Sequence, residues 1–262
     1  MEKRIIFFDI DGTLSNEEDG FIPTSTIKAI HQARTNGHIC IINTGRPIST
    51  IDSSIRNIGF DGYICGCGTY IEYQGQVLFH KELNEKLRKD IIQMSFDCGI
   101  DNVLEGKQGA FFPHVSHHEA IEQIKQNYLD AKHPAFTYTR DDDILFDKCA
   151  AWYSEDADIE RFKEFLTPYF HIIQRDKQFI EIVPLGISKA TGIQMMIDHL
   201  GMTLNQTISI GDSTNDLPML TYTKESIAMG NANPVLFDKV TYQTTDLYHD
   251  GVYNALKHFK LI

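Results

Sequence analysis

Short, continuously apolar runs that end in acidic or glycine-bearing turns recur at both ends of this chain, and they constrain its fold more than any other feature. Arg4-Ile5-Ile6-Phe7-Phe8 runs into Asp9, His38–Asn43 runs into Thr44-Gly45, Tyr63-Ile64-Cys65 stops at Gly66, and Thr207–Ile210 stops at Gly211-Asp212. A short run without polar alternation suits a strand buried on both faces of a parallel sheet. Between the first two runs, Ile27, Ile30 and Ala33 recur at helical spacing over Ser25–Asn36, and Gly37 stops the helix. Ser49–Asn57 reads as a second helix. This strand-helix-strand-helix-strand order predicts a doubly wound, mostly parallel Rossmann-like α/β core.

The rhythm breaks near residue 66. Thr69–Tyr73 and Gln76–His80 flank Gln74-Gly75, the pattern of a hairpin. Leu83–Asp97 predicts a helix. Beyond it, Ala150–Tyr153 and Phe179–Val183 read as strands and Ile159–Tyr169 as a helix. Residues 82–183 are therefore expected to form an inserted α+β cap domain, with 1–81 and 184–262 as the core. Phe111, Phe112, Trp152 and Tyr153 are expected in the cap interior. The His114–His118 segment and Asp141-Asp142-Asp143 are expected to be polar surface. The α/β rhythm returns after Pro184-Leu185-Gly186: Ser188–Leu200 as a helix capped by Ser188, Thr207–Ile210 as a strand, Asp216–Tyr222 as a helix, Ser226–Met229 as a strand, and a closing helix from Gly251 to Phe259.

Composition narrows the function classes. The formal net charge of −12 argues against nonspecific binding to nucleic acid or an anionic membrane. Cys40, Cys65, Cys67, Cys98 and Cys149 fit no disulfide framework, and Cys65-Gly66-Cys67 has no second pair to complete a zinc site. Reduced thiols are expected. No apolar run approaches a membrane span, and the opening run is too short for a signal-peptide core, so a cytoplasmic location is expected.

The chemistry-bearing residues sit where the predicted strands end and the helices begin. Asp9 and Asp11 follow the first strand, Thr44-Gly45 the second, and Asp212, Asn215 and Asp216 a late one, while Lys189 opens a helix. In open α/β sheets the ligand crevice lies outside the carboxyl ends of the strands. Asp9, Asp212 and Asp216 offer hard oxygens with no His or Cys beside them, which suits Mg²⁺. A carboxylate in such a place can accept a phosphoryl group. Lys189, Thr44 and main-chain N–H groups of the turns would neutralise its charge. Asp11 would donate and accept protons.

The chain resembles the haloacid dehalogenase-like phosphatases of the Cof-type group, which carry a large α/β cap (type IIB). The resemblance rests on Asp9-Ile10-Asp11-Gly12-Thr13-Leu14, Thr44-Gly45-Arg46, Gly186-Ile187-Ser188-Lys189 and Gly211-Asp212-Ser213-Thr214-Asn215-Asp216, with Ala228-Met229-Gly230-Asn231-Ala232 and Asp250-Gly251-Val252 as closing segments. It implies Asp9 as nucleophile and Mg²⁺ ligand, with Asp11 as general acid/base and a ligand through its carbonyl. Asp212 would be a ligand, and Asp216 a ligand or a partner of one. Ile10, Thr44, Gly45 and Lys189 would hold the phosphate, and Asn215 would touch it or steady Lys189. The group usually has Asn-Gly after its third strand, where this chain has Cys67-Gly68. The implied activity is hydrolysis of a small phosphorylated metabolite (a sugar phosphate, phosphorylated cofactor or nucleotide) by a monomer or homodimer under a closing cap. A phosphosugar mutase and a non-catalytic phosphometabolite-binding protein remain the alternatives.

Overall fold

The computed structural model describes residues 2–262. They form two compact units. One comprises the chain up to Gly45, Ser53–Phe79 and Ser188–Ile262; the other comprises Arg46–Asp52 and His80–Ile187.

The first unit opens with β1 (Ile5–Phe8), all of it buried. α1 (Thr24–Thr35) turns Thr26, Ala29, Ile30 and Ala33 inward, at the three- and four-residue intervals of one helix face. β2 (Ile39–Asn43) is again wholly buried. The helix expected over 49–57 is not continuous. A 3₁₀ turn at Ile48–Thr50 ends in extended backbone at Ile51, and a single turn of helix, α2 (Ser53–Arg56), follows. The apolar spacing is the sum of two short pieces, because Arg46–Asp52 packs with the second unit and Ser53 onward with the first. β3 (Gly62–Cys65) is buried throughout. β4 (Tyr70–Tyr73) and β5 (Gln76–His80) are joined across Gln74-Gly75, as the hairpin pattern requires.

The second unit is an α+β layer. It holds α3 (Glu85–Cys98), β6 (Ile100–Gly106), β7 (Gly109–Pro113), α4 (Ala120–Asp130), β8 (Ala135–Tyr138), β9 (Lys148–Tyr153), α5 (Ile159–Leu166), β10 (Phe170–Asp176) and β11 (Phe179–Pro184). The sheet order is β10-β11-β9-β6-β7-β8, antiparallel except for the β7–β8 pair. Successive strand residues face opposite sides. Leu104, Phe111, Cys149 and Ile180 pack with Ile91 and Ile92 of α3 and Phe162 and Leu166 of α5. Val103, Ala110 and Phe112 pack with Ile121 of α4 on the other side. Trp152 is only half-buried and stacks on Phe179, with ring centroids 4.3 Å apart. The Asp141–Asp143 segment is exposed but not featureless: Asp142 caps Thr139, and Asp143 pairs with Arg88 at 2.9 Å.

The chain then completes the first unit with α6 (Lys189–Leu200), β12 (Thr207–Gly211), α7 (Leu217–Tyr222), β13 (Glu225–Ala228), β14 (Tyr242–Gln243) and α8 (Gly251–His258). Thr214–Asp216 forms a 3₁₀ turn before α7, and Pro218 fixes the helix start at Leu217. β14 is too short to leave a periodic signal in the sequence. The sheet order is β14-β13-β12-β1-β2-β3-β4-β5, parallel from β14 to β3 and antiparallel between β3 and β4. The protein is thus a doubly wound α/β core with an inserted α+β cap. Among the described residues, no helix is long and apolar enough to cross a membrane. All five cysteines are buried and free of disulfides.

Cys67 follows β3 with a left-handed backbone, φ 56° and ψ 26°, and is 5% exposed. A side chain with a Cβ is strained there, and Asn tolerates the region better than most residues. Cys67→Asn is expected to stabilise the chain by about 0.5–1 kcal/mol in equilibrium urea unfolding; a loss of stability would show that the left-handed turn carries no relievable strain.

Candidate active site

β1 lies between β12 and β2, with Phe8 paired to Ile210 in register. Asp9 extends the ladder by one step, its N–H donating to the Ile210 carbonyl at 3.0 Å. The carboxylate therefore emerges beside the loop that follows β12. Beyond it the chain folds sharply, because the Ile10 carbonyl accepts from the N–H groups of Thr13, Leu14 and Ser15 at 3.2, 2.8 and 3.0 Å. Asp11 is half-buried in this turn and forms an isolated bridge with Ser15.

Lys189 is the first residue of α6. Ser188 caps the helix, with its hydroxyl accepting from Thr191 N–H at 3.2 Å and its own N–H donating to Thr191 Oγ1 at 2.9 Å. The Lys189 carbonyl accepts from Asn43 Nδ2 at 3.1 Å, which ties the helix start to the end of β2. The ammonium donates to Asp9 Oδ1 at 2.7 Å and to Asp216 Oδ1 at 2.6 Å. Asp216 uses its other oxygen to accept from the N–H groups of Asp212 and Ser213, at 2.9 and 3.0 Å. Asp212 Oδ1 accepts from the Thr13 hydroxyl at 2.9 Å.

Asp9, Lys189, Asp212 and Asp216 are therefore assembled in one cluster. Thr44 is fully buried beside the loop after β3, with its N–H on the Ile64 carbonyl and its own carbonyl accepting from Cys67 N–H. Gly45 ends this stretch of the first unit. Asn215 is half-buried, and its Oδ1 accepts from the Ser213 hydroxyl at 2.6 Å; the lysine is steadied by Asp216. Three contributors went unrecognised in the sequence. Thr13 holds Asp212, Asn43 holds the start of α6, and Asn231 donates to the Gly12 carbonyl at 2.8 Å. Thr13 and Asn231 lie within the motifs that carry the resemblance, with no role assigned to them there, and Asn43 is a polar residue closing an otherwise apolar strand.

The packing is tight enough to dictate two glycines. A Cβ on Gly12, whose φ is +76°, would lie 2.2 Å from Asp212 Oδ2, and a Cβ on Gly211 would lie 2.6 Å from Asp216 Cγ. A side chain at either position would displace a carboxylate of the cluster.

One ammonium faces several carboxylates, so the charges do not balance. Burial raises the Asp9 pKa well above the usual carboxylate range, the Asp216 charge raises it further, and Lys189 opposes this. Burial and then Asp216 push Asp212 up to about 7, against the Thr13 hydrogen bond. Burial alone would lower Lys189, but the Asp216 and Asp9 carboxylates outweigh it and its pKa rises. Asp9, Asp212 and Asp216 each offer an oxygen, all within 4.8 Å of one another. An all-oxygen set with surplus negative charge fits a hard divalent cation.

These shifts have a sign in stability. An acid whose folded pKa is raised lends its stability at low pH and loses it as pH climbs through that value. In the metal-free chain, the Asp212 penalty should grow between about pH 4 and pH 7. Asp212→Asn is expected to stabilise the chain in EDTA at pH 8 by about 1–2 kcal/mol, allowing for partial exposure, and to have little effect at pH 4. Urea unfolding at both pH values checks this; equal destabilisation at both would contradict it.

The haloacid dehalogenase-like hydrolase family model matches residues 6–256. The chain is 27% identical over 270 residues to "Putative phosphatase YkrA" of Bacillus subtilis, covering 100% of both. It is 26% identical over 263 residues to the 5-amino-6-(5-phospho-D-ribitylamino)uracil phosphatase YcsE of the same organism, covering 98% of this chain and 96% of that one. Among solved structures it superposes on the HAD subclass IIB sugar phosphatase BT4131 with a TM-score of 0.83 at 28% identity, covering 99% of this chain and 100% of that one. The carboxylate cluster at the end of β1 and the match along nearly the whole chain lead to one assignment: the protein belongs to the haloacid dehalogenase-like hydrolases, in their Cof-type group.

Proposed function

We propose that the protein is a magnesium-dependent phosphatase that hydrolyses phosphate monoesters of small metabolites through an aspartyl-phosphate at Asp9. The observation that carries this reading is the buried Lys189 ammonium bridging Asp9 and Asp216, with Asp212 alongside. The chain is a phosphoric monoester hydrolase. An Asp9 oxygen attacks phosphorus, and the bond from phosphorus to the ester oxygen breaks. Asp11 gives its proton to the departing oxygen. Asp11 then takes a proton from the water that attacks the phosphoryl group, releasing inorganic phosphate and restoring Asp9.

Lys189 and Thr44, with main-chain N–H groups of Ile10 and Gly45 and the side chain of Asn215, hold the phosphoryl oxygens. Phosphoryl transfer depends mostly on such positioning and charge neutralisation. Asp9, Asp212 and the Asp11 carbonyl would hold the cation, which when bound supplies positive charge against the phosphoryl oxygens. Asp216 has both oxygens engaged, by Lys189 and by two main-chain N–H groups. It steadies Lys189 and the loop after β12 while still offering an oxygen toward the cluster. Phosphorylated sugars and sugar-alcohol derivatives are the first substrates to screen, following the activities that the relatives are named for.

Phosphate release from a generic aryl phosphate should require Mg²⁺ and stop in EDTA. Asp9→Asn should lose at least about a thousandfold in rate. Asp11→Asn should lose about a hundredfold or more. Full activity in the Asp9 variant would sink the nucleophile assignment, and undiminished turnover in EDTA would sink the metal.

A further inference from the structure

Four main-chain loops meet at the carboxyl ends of β1, β12, β13 and β14, and one side chain ties three of them together. Asn231 Nδ2 donates to the Gly12 carbonyl at 2.8 Å, and Asn231 Oδ1 accepts from Leu247 N–H at 3.1 Å. Both ends of its amide are therefore used, one on the turn that carries Asp9 and Asp11, the other on the loop after β14. The flanking main chain is pinned to the remaining acid loop: Met229 N–H donates to the Gly211 carbonyl at 3.0 Å, and Asn233 N–H to the Asp212 carbonyl at 2.8 Å. Gly230 N–H donates to the Thr245 carbonyl at 3.0 Å.

Gly12 is the residue whose missing side chain leaves room for the Asp212 carboxylate. A group that fixes the Gly12 carbonyl therefore fixes how closely the Asp9–Asp11 turn approaches Asp212. We infer that Asn231 is a positioning residue for the cation-binding cluster: its amide sets the spacing between the first-strand acids and Asp212 without touching cation or substrate. This rests on the metal-dependent reading above. Groups that orient ligands in this way typically change metal affinity about tenfold to a hundredfold when removed.

Two substitutions separate positioning from charge. Asn231→Ala removes both hydrogen bonds. Asn231→Asp keeps an acceptor for Leu247 N–H but turns an acceptor toward the Gly12 carbonyl, and it adds a negative charge near the cluster. By Coulomb attraction alone the Asp variant would bind a cation more tightly; a positioning role predicts that both variants bind it more weakly. Asn254→Ala is the control, because it removes two hydrogen bonds to the neighbouring loop, to Thr245 Oγ1 at 2.9 Å and the His249 carbonyl at 3.1 Å, without reaching Gly12.

The readouts are the Mg²⁺-induced shift in melting temperature and the Mg²⁺ concentration giving half-maximal hydrolysis of an aryl phosphate. Both Asn231 variants are expected to need about tenfold more Mg²⁺ in both assays, with kcat at saturating Mg²⁺ within about threefold of the parent and Asn254→Ala unchanged. A parent-like Asn231→Ala, a tighter Asn231→Asp, or an Asn254→Ala as weak as the Asn231 variants would each overturn the positioning role. A parent protein that shows no Mg²⁺ response in either assay would overturn the metal reading itself, and this role with it.

Discussion

The Lys189 ammonium, held between Asp9 and Asp216 at 2.7 and 2.6 Å, is the interaction on which the rest of the site depends. The lysine is 1% exposed, Asp9 4% and Asp216 0%, so none of the three charges is solvated. A lone buried ion would cost several kcal/mol, and breaking such a pair leaves an uncompensated charge. The cluster is tolerable because each member is held by others. Asp216 also binds two main-chain N–H groups, and Asp212 binds Thr13. Even so, negative charge remains in excess: burial raises the pKa values of Asp9 and Asp212 most, and the Asp216 charge raises both further. A cluster under-compensated by its own lysine has the donor chemistry that fits a divalent cation.

The fold delivers this cluster through adjacency in the sheet. β1 pairs in parallel with both β12 and β2, so the residues after Phe8, Gly211 and Asn43 leave the sheet side by side. Asp9 remains on the ladder through its N–H, which limits its freedom more than a loop would. Lys189 arrives from a separate crossover, and its backbone is bound to Asn43. Residues separated by as many as 207 positions of chain thus converge without a long ordered loop, since Asp9 and Asp216 share one lysine. The absence of side chains at Gly12 and Gly211 provides the clearance for two of the carboxylates.

Most of the core was legible in the sequence because strands buried on both faces must be continuously apolar. Ile5–Phe8, Ile39–Asn43 and Thr207–Gly211 all lie within or close to the runs that announced them. The acids and the lysine could be read as a convergent set because strand ends in a parallel sheet share one edge. The helix expected over 49–57 failed for a physical reason: its apolar residues serve two different packing environments, and spacing alone does not say which. The roles of Asn43, Thr13 and Asn231 escaped for another: Asn43 shows only as a polar end to an apolar strand, Thr13 and Asn231 only as members of turn motifs, and the partner of each lies far away in the chain. The left-handed backbone of Cys67 is a property of the loop after β3 that the residue itself disfavours.

Covalent chemistry at Asp9 is the step on which the proposed activity turns, and the most direct measurement is to trap the intermediate. The protein would be mixed with a phosphorus-labelled aryl phosphate and Mg²⁺, quenched in acid within a single turnover, and its peptides analysed by mass spectrometry. A nucleophilic Asp9 gives an acid-stable, hydroxylamine-labile phosphoryl group on that residue, appearing and decaying at the rate of turnover. Phosphate release at that rate with the label on another residue, or with no labelled residue at any quench time, would contradict it.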